Sequence, residues 1–182
     1  MDKKIRINQK FNIMEFEYPF AEKMNPLLEK EIRDSGDVQN RETLCKCDMT
    51  DFVMRTPAFN SFKKYVIECV SKNCPHHVMW DGSWEISNIW GLIYKKGEYA
   101  VEHDHYPAIY SFVYYVNCPP GSAPLRFHGH SIKPKNGMMT IFPSNLKHWV
   151  PKHKINSERV VISGNLNVST DFIRKYFSNP CH

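Results

Sequence analysis

The 182-residue sequence carries 42% hydrophobic and 24% charged side chains, with Trp, Tyr and Phe together at 13%. That composition excludes a disordered chain, and at this length it favours one domain with a sizeable core over two. The formal charge of +5 is spread along the chain, which permits an acidic partner without implying nucleic acid.

The start, "KIRINQKFNIMEF", reads as extended, and "NPLLEKEIRD" as a short helix with Asn25 as its cap and Pro26 at the first helical position. "DSGDVQNRET" follows as an exposed loop. From 56 to 73, Thr and Pro open a segment that places Phe59, Phe62, Val66, Cys69 and Val70 on one face at helical spacing. After Cys74 the character changes. "WEISNIWGLIY", "YSFVYYVN", "PLRFH", "GMMTIF" and "RVVISGNLNV" are short runs rich in β-branched and aromatic residues, separated by Gly, Pro and Asn turns. They predict an all-β region over about 84–168, and "TDFIRKYF" predicts a terminal helix at about 170–178 capped by Thr170. The expected architecture is a single domain. Helical and extended support over about 1–83 packs against a β-sandwich or barrel.

Six cysteines (Cys45, Cys47, Cys69, Cys74, Cys118, Cys181) are scattered through a chain that already owns a core, so reduced thiols are expected. "CKC" at 45–47 has no second pair at zinc-finger spacing. The longest apolar runs fall far short of the roughly 20 residues that span a bilayer. "MDKKIRINQKF" lacks the apolar region of a signal peptide, which predicts no membrane association and a cytoplasmic location.

Candidate chemistry lies in "GEYAVEHDHYPAIYSFVYYV", residues 97–116. On a strand, residues i and i+2 share a face, so His103 and His105 project together while Glu102 and Asp104 face the other way. A bulge at Asp104 would instead turn that carboxylate inward, so Asp104 rivals His105. Further on, "GMMTIFPSNLKHWVP" brings His148 after an apolar strand and a Pro-containing turn. Three imidazoles from neighbouring strands can hold one face of a metal ion and leave positions open for ligands, which a catalytic metal requires. "FHGH" at 127–130 reads as a strand end and loop, suited to substrate contact or solvation. His76 and His77 follow Pro75 in a turn and suggest no catalytic role.

The spacing Gly97, five residues, His103-x-His105, then Gly137, five residues, Pro143 and His148 resembles the two metal-binding motifs of the cupin and double-stranded β-helix superfamily. Together with "ERVVISGNLNV" and, more weakly, "MTDFVM" at 49–54, it resembles the Fe(II)/2-oxoglutarate-dependent oxygenases. The nearest group is the prolyl-hydroxylase-like one frequent in marine bacteria and their phages, so a phage-encoded protein would work in its host's cytoplasm. The resemblance covers roughly 84–168 and is faint before that. It implies a mainly β jelly-roll (cupin) core with flanking N-terminal helices and a short C-terminal helix. It also implies Fe(II) as cofactor, and conversion of 2-oxoglutarate and O2 to succinate and CO2 as a substrate is hydroxylated.

Residue by residue, the resemblance makes His103 the first iron ligand and His148 the distal histidine. Arg159, eleven positions after His148, becomes the arginine that pairs with the far carboxylate of 2-oxoglutarate. A guanidinium suits that role because its planar fork grips a carboxylate in two places and keeps its charge when buried. Tyr94, three before Gly97, would donate its hydroxyl to the cosubstrate. At His105 the chain departs from the usual two-His, one-carboxylate set, removing one negative charge beside the metal. The resembled group tends to share the HxH form, which keeps His105 as ligand. The loops "CPPGSAP" (118–124) and "WDGSWE" (80–85) are expected at the mouth. A peptide, a nucleobase or a small metabolite all remain open as substrate, with a prolyl side chain suggested by analogy, and a homodimer is one option for the assembly. Two rival readings stand beside this one: a three-His cupin metalloenzyme that does not use 2-oxoglutarate, and a non-enzymatic β-sandwich binding module.

Overall fold

The computed structural model describes residues 10–74 and 84–169. Two helices and eleven strands follow in chain order: β1 (Met14–Glu17), α1 (Ala21–Ser35), β2 (Cys45–Lys46), β3 (Asp48–Met49), α2 (Pro57–Asn73), β4 (Trp84–Tyr94), β5 (Tyr99–His103), β6 (Tyr110–Asn117), β7 (Leu125–Phe127), β8 (His130–Ile132), β9 (Met138–Pro143), β10 (His148–Val150) and β11 (Arg159–Val168). They form a six-stranded sheet in the order β1-β9-β6-β11-β4-β3 and a five-stranded sheet in the order β2-β5-β10-β7-β8, with every strand pair antiparallel. This is the mainly β, jelly-roll arrangement expected from the sequence.

The large sheet is covered on both faces, which is why its strands read as nearly unbroken apolar runs. Alternation sorts the side chains. Ile89, Ile93, Phe112, Tyr114, Val160 and Ile162 join the core under the helices. Trp90, Leu92, Tyr94, Val113, Tyr115 and Val161 join a second core that includes Leu125, Phe127 and Val150 of the small sheet. Arg159 shares the parity of Val161, so strand period alone aims it at the space between the sheets.

Helix α2 matches its expected span, and Phe59, Phe62, Val66, Cys69 and Val70 are all buried. Its first-turn N–H groups are not capped by Thr56. Instead, the Glu31 carboxylate from α1 accepts from the backbone N–H groups of Ala58 and Phe59 at 3.1 and 3.3 Å, and from the Thr56 hydroxyl.

Helix α1 corrects the expectation. It begins at Ala21, so Asn25 and Pro26 lie inside it. Pro26 is the sixth helical residue, past the first turn, so its missing N–H leaves the Glu22 carbonyl without its i→i+4 donor. Asn25 reaches across to the sheet, donating to the Val116 carbonyl at 2.8 Å and accepting from the Tyr114 hydroxyl at 2.5 Å. Strands β2 and β3, formed by "CKCDM", were not anticipated, being only two residues each. The five cysteines within the described residues are free thiols. The expected helix after Thr170, together with His76, His77 and residues 80–83 of "WDGSWE", lies outside those residues.

Candidate metal and anion site

The small sheet gathers three histidines. His103 ends β5 and is the cross-strand partner of His148, the first residue of β10. Their ring centroids lie 4.4 Å apart, and those of His105 lie 4.9 and 5.0 Å from His103 and His148. One ring nitrogen from each lies within 4.8 Å of the others.

Simple alternation does not produce this cluster. β5 stops at His103, and His105 belongs to the following turn, where its backbone N–H donates to the Ser144 carbonyl at 2.8 Å. A bulge does occur in β5, but earlier than the one that would favour Asp104. The pairs His103↔His148 and Ala100↔Val150 leave one extra residue on β5, so Ala100 and His103, three apart, both face the cavity. Asp104 is exposed, and its Oδ1 accepts from the Tyr106 backbone N–H at 3.2 Å. Glu102 is also exposed and meets His128 at 3.0 Å.

Hydrogen bonds to backbone carbonyls orient two of the three imidazoles. Nδ1 of His103 lies 2.6 Å from the Val101 carbonyl, and Nδ1 of His148 lies 2.9 Å from the Leu146 carbonyl. Carbonyls accept only, so both Nδ1 atoms carry hydrogen, which leaves Nε2 of each ring as the atom available to an ion. Burial, followed by the neighbouring histidines, pushes His105 down to about 3. Burial and His103 push His148 down to about 4, against smaller upward effects of the Leu146 carbonyl and Asp104. A neutral, oriented imidazole whose other nitrogen is tied to a carbonyl is the form that binds a transition metal, so the residues present fit one.

One narrow cavity is lined by Arg159 and Tyr94 from the large sheet as well as by the three histidines. Arg159 and Tyr94 are direct cross-strand partners on its inner face. Arg159 is only 1% exposed, and its Nε and Nη1 atoms make no hydrogen bond to any described residue. Its guanidinium carbon lies 4.8 and 5.7 Å from the ring centroids of Tyr94 and Tyr115. Burial raises the Tyr94 hydroxyl well above its ordinary range, which keeps it a neutral donor. Cys45 and Cys47 stand beside it, and burial likewise holds both thiols protonated.

A wider cleft of about 480 Å³ opens beside the histidines, lined by Leu44, Phe52, Asn88, Trp90, Asp104 and Asn165 among others. Of the expected mouth loops, 118–124 contributes nothing to this cleft. It turns back on itself, with the Ala123 backbone N–H donating to His153 Nδ1 at 3.3 Å. The 43–52 segment takes that place. "FHGH" forms the tip of the β7–β8 hairpin around Gly129, outside the histidine cluster. Trp90 and Tyr115 were missed as site residues. The period of two that links Trp90 to Tyr94, and Tyr115 to Val113, was the available signal.

No family model matches the chain, and no curated protein matches it. Solved structures do. The viral collagen prolyl hydroxylase of Paramecium bursaria chlorella virus-1, in its 2-oxoglutarate (2OG) complex, superposes with a TM-score of 0.67 at 15% identity, covering 86% of this chain and 96% of that one. A prolyl-4-hydroxylase of Pseudomonas putida gives 0.67 at 16% identity, covering 87% and 94%. A Trichoplax adhaerens prolyl hydroxylase, solved with a peptide fragment of the hypoxia inducible factor oxygen degradation domain, gives 0.63 at 13%, covering 85% and 83%. The chain therefore has the two-sheet jelly-roll fold on which these prolyl hydroxylases are built.

Proposed function

We propose that the protein is an Fe(II)- and 2-oxoglutarate-dependent oxygenase that hydroxylates its substrate. One observation carries the reading: a fully buried Arg159, two of whose nitrogens have no hydrogen-bond partner among the described residues, lines the same cavity as the three clustered histidines. An isolated buried cation is costly, and this one is aimed at a space that a carboxylate can fill.

In this reading His103, His105 and His148 hold the metal through the ring nitrogens that face one another. When bound, iron with O2 supplies the oxidising chemistry that couples decarboxylation of 2-oxoglutarate to insertion of oxygen into a C–H bond. Arg159 grips the far carboxylate of 2-oxoglutarate with its planar fork, and Tyr94 donates its hydroxyl nearby. The carbonyls of Val101 and Leu146 keep Nδ1 of His103 and His148 protonated, so these rings cannot turn their N–H groups toward the ion. Leu92, Val113 and Phe142 line the cavity and exclude water from around the charged groups. The wider cleft admits the substrate. A peptide segment is the class favoured by the fold's peptide-bound neighbour.

The test is uncoupled turnover. Anaerobically purified protein receives Fe(II) and 2-oxoglutarate, then oxygen, and succinate is followed in wild type, His148→Ala and Arg159→Ala. Succinate from wild type and none from either variant is expected. Retained metal-dependent oxidation in Arg159→Ala would instead favour a three-His metalloenzyme that does not use 2-oxoglutarate.

A further inference from the structure

The cleft beside the histidines has two walls of opposite hydrogen-bonding character. On the large-sheet side stands Trp90, 4% exposed, whose indole Nε1–H has no hydrogen-bond partner among the described residues. That group donates and never accepts, and a buried donor left unpaired is costly. Two rings pack on the indole: Phe52 meets it edge-on with centroids 5.5 Å apart, and the His105 ring lies 5.8 Å away. Trp90 lines both the narrow cavity and the cleft, so the indole stands where the two join.

The small-sheet side supplies an acceptor. Asp104 follows the end of β5 and lines the cleft together with His103 and His105. Its Oδ1 accepts from the Tyr106 backbone N–H at 3.2 Å, which orients the carboxylate. It is the only carboxylate among the described residues that line the cleft, and no Lys or Arg is among them. Asp104 is exposed, so a ligand that fills the cleft would cover it and strengthen any hydrogen bond made to it as water leaves. Leu44, Met49 and Phe52 add apolar surface.

A donor on one wall and an acceptor on the other match a trans secondary amide. Its planar C–N bond points C=O and N–H in opposite directions, so a single unit can meet both walls. A carboxylate offers no donor, and Asp104 repels it. We infer that Trp90 and Asp104 read one peptide unit of the substrate, the indole N–H donating to its carbonyl and the Asp104 carboxylate accepting from its N–H. The inference rests on the proposed oxygenase reading and places the peptide in the cleft, leaving the positions around the metal to O2 and 2-oxoglutarate.

The probes are N-methyl-3-methylbutanamide, a secondary amide on an apolar body, and 3-methylbutanoate, the acid of the same body. Isotope-labelled protein loaded with diamagnetic Zn(II) is titrated with each at saturating 2-oxoglutarate and followed by proton–nitrogen correlation spectra. The Trp90 indole resonance is identified by its loss in Trp90→Phe. The amide is expected to move it downfield saturably, and the acid to bind about tenfold more weakly or worse. Trp90→Phe, followed through the ligand's own signals, should bind the amide about three to ten times more weakly, the range of one neutral hydrogen bond. N,N-dimethyl-3-methylbutanamide, which lacks the N–H, should bind wild type more weakly than the N-methyl amide. In Asp104→Asn the preference for amide over acid should shrink, because the repulsion is gone.

An indole resonance that the amide does not move, in protein that calorimetry shows to bind 2-oxoglutarate, overturns the inference and leaves the proposed function standing. Undiminished amide affinity in Trp90→Phe overturns the role of the indole, and an unchanged preference in Asp104→Asn overturns that of the carboxylate. Tighter binding of 3-methylbutanamide than of its N-methyl form overturns the peptide-unit assignment in favour of a side-chain carboxamide. If Zn(II)-loaded wild type does not bind 2-oxoglutarate, the proposed function fails and the inference with it.

Discussion

Arg159 carries opposing demands. Two aromatic faces lie against its guanidinium, and a cation–π contact is worth about 0.5–2 kcal/mol. The effective cost of burying an ion is still several kcal/mol, and no described carboxylate lines the cavity beside Arg159 to offset it. Ligand-free protein should therefore be destabilised by the residue its proposed cosubstrate needs. Arg159→Met, similar in reach and apolar, is expected to raise unfolding stability in urea by about 1–4 kcal/mol without ligands, and to lose 2-oxoglutarate binding. A lower urea midpoint in the variant would mean that Arg159 has an internal partner and is a structural residue.

At the scale of elements, the helices fix how the large sheet is presented. Gly91 sits on β4 beneath α1, and a Cβ there would lie 2.4 Å from Ile32 Cγ1 and 2.8 Å from Ile32 Cγ2. Ile32 is fully buried, so the contact cannot relax into solvent. Gly91→Ala should cost about 1–3 kcal/mol through overpacking. Ile32→Ala alone should cost about 2–5 kcal/mol through the cavity it leaves. Because the added methyl enters that cavity, the double variant should be more stable than the sum of the two losses allows, read by denaturation of all four proteins. Additive losses would mean that α1 moves away from the sheet instead of packing on it.

Legibility from sequence followed the same physics. Helix α2 was readable because its apolar face repeats at 3.6 residues over 17 positions. The β region over about 84–168 was readable because its runs are rich in β-branched and aromatic residues between Gly, Pro and Asn turns, and β4 and β11 begin and end there. The start of α1 was not, since Asn25 and Pro26 mimic a helix start while tertiary bonds to Tyr114 and Val116 use the asparagine otherwise. The structure brings His103, His105 and His148 together as the sequence grouped them, but strand alternation does not account for His105. A bulge and a turn bring it in, and neither leaves a mark in the local pattern. Strand period gives Arg159 the face of Val161, but its proposed role required the resemblance, because an arginine opening a strand carries no local sign that it is buried.

Across the whole molecule, the proposed ligands join the two sheets. The three histidines belong to the small sheet and its adjoining turn, whereas Arg159 and Tyr94 belong to the large one. A metal alone ties only small-sheet residues, but 2-oxoglutarate bound to both the metal and Arg159 would bridge the layers. Thermal unfolding should then be synergistic. A ligand at about a hundred times its dissociation constant adds about 2.7 kcal/mol, and for a chain of this size that raises the midpoint by about 5–10 °C. Co(II) is expected to raise the midpoint alone, 2-oxoglutarate alone to do so little, and the pair to exceed the sum of the two. In Arg159→Met the Co(II) increment should remain and the 2-oxoglutarate increment should disappear. In His148→Ala both should be lost, because an anion whose affinity depends on the ion cannot stay without it. Equal 2-oxoglutarate increments with and without Co(II) would separate the arginine from the histidines as two unrelated sites.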